Sequence, residues 1–236
     1  MVIESDTWTR EKKLREFKKQ FLGTSPAGVA CRILNEDDLD LEFIEGNATL
    51  VASSDVPIRI RNNVLGYIIT YELTEFSAKY DRPNRNNPYC RYVYYEGQSF
   101  YENLSNNPKS LVTYTSQREN SYLGSSLHFF RALEVGELKE QGFKLSDDSG
   151  FTSPVHFVNI SRDGDNTIVK FKRNFYLRYL NGKSSLVVIK DRDIPIIIYD
   201  VGNYSPAQNI EFNGELALER IGDALPLNYE LMRSKS

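Results

Sequence analysis

The chain has 236 residues, 40% hydrophobic and 26% charged, and a formal net charge of −3. That size fits one large domain or two small ones, and the composition is that of an ordinary soluble globular protein. With no run of about 18 apolar residues it excludes a transmembrane helix, and its acidic balance weighs against a nucleic-acid binder.

The start, MVIESDTWTREKK, lacks the apolar core of a secretion signal. Tyr 15 and Phe 13 against a single Trp point to a β-rich body. Cys31 and Cys90 allow one disulfide at most, and their spacing suggests no metal site. Free buried thiols are the simpler expectation; an oxidising compartment would favour a bridge.

Asp6 or Thr7 is the expected N-cap of a first helix over residues 8–21, with Leu14, Phe17 and Phe21 on its apolar side. Its other side is basic: Arg10, Lys12, Lys13, Arg15, Lys18 and Lys19. Glu11 and Glu16 interleave, so a solvated charged face is a better reading than a polyanion site. Ser25-Pro26 opens a second helix, expected to end near Leu34-Asn35. The period then changes to two. Residues 39–43 and 48–52 form a hairpin around Glu45-Gly46-Asn47, 58–61 alternate again, and 65–76 are a long strand. A polar loop at 81–88 precedes a strand at 91–95, and 103–110 form a second loop.

Residues 117–134 read as one amphipathic helix at about 100° per residue. Phe129, Tyr122, Leu133, Phe130, Leu123 and Leu127 fall on one arc. Arg131, Gly124, Gln117, His128, Ser121 and Ser125 fall on the other. His128 is therefore either a structural histidine at a contact between elements or part of a site with Ser125, Ser121 and Arg131.

Residues 146–154, SDDSGFTSP, are the expected internal boundary. Beyond them the chain reads as strands at 155–160 and 167–171, a hairpin of 175–180 with 184–189 across Asn181-Gly182, and a strand at 194–200 whose Pro195 suggests a sheet edge. A short extended piece at 209–212 follows. A last helix, capped by Asn213 and running to about Ala224, would bury Leu218, Ile221 and Leu225.

The catalytic signatures are missing. No H-E-x-x-H occurs, and neither His128 nor His156 opens an H-x-x-E pair. Two histidines exclude a multi-histidine metal site. Gly182-Lys183-Ser184 lacks the earlier glycine of a phosphate loop, and no G-x-S-x-G elbow is present. Asp163, Asp165 and Asn166 around Gly164 suggest a β-turn rather than a calcium loop, since the spacing does not complete a twelve-residue loop with a terminal Glu.

Several stretches carry a resemblance. They are Phe17-Lys18-Lys19-Gln20-Phe21-Leu22-Gly23-Thr24-Ser25, Cys31-Arg32-Ile33-Leu34-Asn35 and Asn62-Asn63-Val64-Leu65-Gly66-Tyr67. Tyr122-Leu123-Gly124-Ser125-Ser126-Leu127-His128-Phe129-Phe130-Arg131-Ala132-Leu133 follows, then Gly142-Phe143 and Ala224-Leu225-Pro226-Leu227-Asn228-Tyr229. In that order they resemble the carboxypeptidase-like regulatory domain-containing proteins of Bacteroidetes-type bacteria. The resemblance implies export to the periplasm or cell envelope. It also implies a transthyretin-like β-sandwich ahead of this region, and the chain begins after the point where that would sit. It supplies no catalytic residues, and the family name does not imply a peptidase.

The expectation is an α+β fold, mainly antiparallel β, with about ten strands and about four helices, two near the N-terminus, one central and one C-terminal. Residues 1–236 form a single domain with the boundary near 146–154. The expected function is a non-catalytic cell-envelope domain that recognises a protein or glycan through exposed Tyr and Arg side chains, Tyr92, Tyr94 and Tyr95 among the candidates. No cofactor, metal or nucleic acid is expected. The alternative is an envelope hydrolase around His128, Arg118, Ser125 and Arg131.

Overall fold

The computed structural model describes residues 7–81, 83, 88–105, 107–150, 152–180 and 182–231. The fold is α+β and mainly antiparallel β, with four α-helices and fourteen strands in three sheets among the described residues. It divides into two compact units. The first takes the chain up to Gln117 together with Arg220–Pro226; the second takes Arg118–Glu219 and the chain from Leu227 onward. The division does not fall at residues 146–154, which lie inside the second unit.

In the first unit the elements are α1 (Arg10–Phe21), α2 (Pro26–Val29), β1 (Cys31–Ile33), β2 (Asp40–Ile44), β3 (Thr49–Ser53), β4 (Ile58–Asn62), β5 (Tyr67–Asp81) and β6 (Tyr89–Asn103). Helix α3 (Pro108–Tyr122) follows, and the division between the units falls within it. The sheet order is β1-β4-β5-β3-β2, with β6 along the other side of β5. β5 is long enough to pair with β4 through Tyr67–Tyr71, with β3 through residues 77–79, and with β6 along its whole length.

Alternation decides which face is buried. Tyr67, Ile69, Tyr71, Phe76, Ala78 and Tyr80 point inward from β5. Helix α1 covers them: Phe17 meets Phe76 edge-on at 4.8 Å, and Phe21 meets Tyr71 at 5.1 Å. Trp8 stacks on Phe43 at 4.1 Å.

The returning segment 220–226 closes this unit through backbone bonds. Ile221 N–H donates to Phe21 O and Gly222 N–H to Leu22 O. Buried Asn62 donates from Nδ2 to Gly222 O at 2.9 Å while its Oδ1 accepts from Val64 and Leu65 N–H. A Cβ on Gly222 would lie 2.4 Å from Gly28 Cα, so the backbones touch where only glycine fits. Stretches 17–25, 62–67 and 224–226 of the resemblance therefore meet at or beside one hydrogen-bonded knot.

The second unit contains α4 (Ser126–Glu134), β7 (Phe143–Ser146), β8 (Val158–Asp163), β9 (Asn166–Phe171), β10 (Phe175–Tyr179), β11 (Ser184–Ile189), β12 (Ile196–Ile198), β13 (Tyr204–Ser205) and β14 (Ile210–Gly214). Its sheets run β14-β11-β10-β7 and β13-β12-β9-β8. Both contribute to one core, with Leu177 and Val187 from the first and Val169, Ile196 and Ile198 from the second. Phe129, Phe130 and Leu133 of α4 are fully buried in the same core.

Several expectations are corrected. The N-cap of α1 is Thr9, whose side chain accepts from Lys12 N–H. The second helix is one turn long, because Cys31 and Ile33 alternate with exposed Arg32 and pair with β4. Residues 117–134 are two helices, not one. β12 is an inner strand between β13 and β9, and Pro195 sits just ahead of it. There is no C-terminal α-helix among the described residues: Asn213 belongs to β14, and a 3-10 turn at Glu215–Leu218 leaves Leu218 57% exposed. Much of the 81–88 loop lies outside the described residues, as does Asn181 of the Asn181-Gly182 turn.

Candidate functional site

The stretch from Tyr122 to Arg131 holds most of the sequence-level candidates. Gly124 breaks the helix with φ +76°, and an added Cβ there would lie 2.6 Å from the Tyr179 ring. Ser125 is the N-cap of α4, and its hydroxyl accepts from the His128 backbone N–H at 3.1 Å. The serine thus bonds the histidine's backbone rather than its ring.

The break turns His128 inward. It is 2% exposed, not on a polar face as a continuous helix would place it. Its ring packs among Tyr122 (4.7 Å), Phe143 (4.8 Å) and Tyr179 (5.5 Å). Nδ1 accepts from Gly124 N–H at 3.1 Å, which places the proton on Nε2. Nε2 then donates to Gln141 Oε1 at 3.2 Å, and Gln141 donates to Glu137. Burial pushes the imidazole pKa below its ordinary value, opposed by the Gln141 bond. Both ring nitrogens are engaged, and the imidazole is held neutral.

Arg131 is a backbone clamp. Nε donates to Val201 O at 3.0 Å, Nη1 to Tyr229 O at 2.6 Å, and Nη2 to Leu227 O. Its guanidinium also lies 5.5 Å from the Tyr122 ring centre, within cation–π range. Tyr122 in turn packs on Tyr229 at 5.5 Å. Arg118 lies half-buried on α3, before the break that starts α4. The structure brings Ser125, His128 and Arg131 onto one helix and gives each a partner within the fold. Gln141, Glu137 and Tyr179 complete this arrangement, and no sequence motif marks them.

The basic side of α1 is also engaged. Arg10 donates to Leu39 O and Glu36 O, Lys12 reaches Pro83 O at 2.9 Å over the Trp8 ring, and Lys18 pairs with Glu36 at 2.5 Å. Asp163 and Asn166 pair across the β8–β9 turn, with Gly164 at φ +60°. Among the described residues no group of three His, Cys, Asp or Glu side chains is placed to hold a metal.

The outer face of the six-stranded sheet is different. Register places Tyr92 opposite Lys79, Tyr94 opposite Ser77 and Phe100 opposite Thr70, all on the face away from α1. Tyr92 is 39% and Phe100 59% exposed. Val51 continues the Ser77 row, and Thr49 the Lys79 row. The Tyr94 hydroxyl donates to Glu96 at 2.6 Å, and that bond pushes the phenol up to about 12. Tyr95 turns inward, its ring 5.5 Å from Phe21. Alternation along β6 separates Tyr92 and Tyr94 from Tyr95; Lys79 and Ser77 require the strand register, which the sequence leaves open.

Compared with known protein families, curated proteins and solved structures, the chain matches none.

Proposed function

We propose that this chain is a non-catalytic recognition domain of the bacterial cell envelope, binding a protein or glycan partner through the outer face of its six-stranded sheet. The observation that carries the reading is the pair Tyr92 and Tyr94, two residues apart on one strand and facing away from the core beside Lys79 and Ser77. Aromatic rings with polar tips present large contact area at little conformational cost, so they serve as anchors in recognition surfaces. The Tyr94–Glu96 bond holds one of the rings in place before any partner arrives.

The non-catalytic part rests on the partners of His128, Ser125 and Arg131. A general base needs a free ring nitrogen near the nucleophile's proton, and here Nδ1 and Nε2 both face groups of the fold. The envelope setting rests on the resemblance alone.

The test is binding of the purified chain to a bacterial envelope fraction, with a Tyr92→Ala/Tyr94→Ala variant beside it. Saturable binding that falls about tenfold or more in the variant is expected. Protease treatment of the fraction abolishes it for a protein partner, periodate oxidation for a glycan. Parent and variant binding alike would overturn the reading.

A further inference from the structure

Strands β7, β10 and β11 carry a row of outward side chains that includes two positive charges. Register sets Arg178 directly opposite Lys144 on one side and Ser184 on the other. Phe175 and Leu177 alternate with Arg178 and are buried, so the row lies on the face away from the core. Opposed side chains on adjacent strands have Cβ atoms about 5 Å apart, and like charges so placed repel. Among the described residues neither the Lys144 nor the Arg178 side chain makes a hydrogen bond or ion pair, in a chain that is acidic overall.

These residues line a cleft of about 350 Å³ with Leu180 and Gly182. Leu180 forms one wall. It holds φ +44°, a conformation that a leucine rarely adopts, with its N–H on Gly142 O, and the residue is 61% exposed. The second unit thus places a guanidinium fork, an ammonium and a hydroxyl at one concave surface, beside an apolar wall.

We propose that this cleft binds a phosphate monoester. The two positive charges match a dianion, which removes their mutual repulsion. Arg178 supplies paired donors to two phosphate oxygens, Lys144 a point charge and Ser184 a hydroxyl donor. The volume falls within the range of about 300–1,000 Å³ for small-ligand sites and exceeds what the phosphate group needs, leaving space for the molecule that carries it beside Leu180. The site lies on the second unit and does not depend on the role of Tyr92 and Tyr94.

The experiment is calorimetric titration of the full chain with inorganic phosphate, glucose 6-phosphate and glucose at about 150 mM NaCl. Saturable binding of glucose 6-phosphate is expected, with none of glucose, and about tenfold weaker binding in Arg178→Gln and in Lys144→Gln. Inorganic phosphate binding as tightly as glucose 6-phosphate would support the phosphate site and assign it to the free ion. Melts without ligand at low ionic strength supply an independent reading: each variant should melt at or above the parent, because it removes one of two facing like charges. No saturable binding of either phosphate, binding unchanged in both variants, or a lowered midpoint in both would overturn the proposal.

Discussion

The backbone N–H of Gly124 donates to Nδ1 of His128 across the turn that separates α3 from α4, at 3.1 Å. A protonated imidazole cannot accept that bond, and burial already disfavours the charged ring. The folded pKa therefore lies below the unfolded one. As pH falls through the unfolded value of about 6.5, the unfolded state takes up a proton that the folded state refuses, so stability drops. Chemical denaturation between pH 7 and pH 5 should show that loss. His128→Asn, whose Oδ1 can still accept from Gly124, should flatten it. The variant also loses ring packing against Tyr122, Phe143 and Tyr179, and should be less stable at pH 7 by about 2–4 kcal/mol.

Arg131 fixes residues far away in sequence by donating to three backbone carbonyls. Arg131→Lys keeps the charge but loses the planar fork, so it should destabilise nearly as much as Arg131→Ala, about 2–3 kcal/mol. Limited proteolysis should then cut the segment after Pro226 faster in both variants. Equal resistance in parent and Arg131→Lys would mean that the clamp does not hold that segment.

Two glycines separate backbone strain from crowding. Gly124 and Gly136 share nearly the same left-handed backbone, φ +76° and +75°. An added Cβ at Gly136 meets nothing within 4 Å, whereas at Gly124 it meets the Tyr179 ring. Gly136→Ala should cost about 1 kcal/mol, from backbone conformation alone. Gly124→Ala should cost clearly more, about 2–4 kcal/mol, because the ring must also move. Thermal or denaturant melts read the difference.

Cys31 and Cys90 are free. Burial pushes their thiols up to about 12 and about 11 respectively. At neutral pH both should react slowly with iodoacetamide in the native protein and rapidly once unfolded. Mass spectrometry of the alkylated chain checks this, and fast native labelling of Cys31 would contradict its burial.

Much of the fold was legible because strand alternation is local. Leu39 to Phe43 and Ala48 to Ala52 announce the β2–β3 hairpin, and Leu14, Phe17 and Phe21 announce α1. The reading of residues 117–134 as one continuous helix fails at one residue. Gly124 counts as a neutral position on a wheel that assumes continuity, yet its positive φ ends α3 and re-aims everything after it. That places His128 inside rather than on a polar face. The partners of Arg131 lie 70 to 98 residues away, at a separation where no local pattern operates. The last helix failed for a related reason: Leu218, Ile221 and Leu225 have helical spacing, but Ile221 and Gly222 bond to the backbone at the end of α1 instead. Tertiary hydrogen bonds overrode a weak local period.

The Tyr122–Arg131 stretch holds the fold, and the Tyr92–Tyr94 face is the one proposed for recognition. The most direct test of this division measures stability and envelope binding together in Arg131→Lys and in Tyr92→Ala/Tyr94→Ala, each below its own melting midpoint. Arg131→Lys should melt lower and bind like the parent, while the tyrosine variant should melt like the parent and bind about tenfold more weakly. Lost binding in a fully stable Arg131→Lys, with binding intact in the tyrosine variant, would contradict the division.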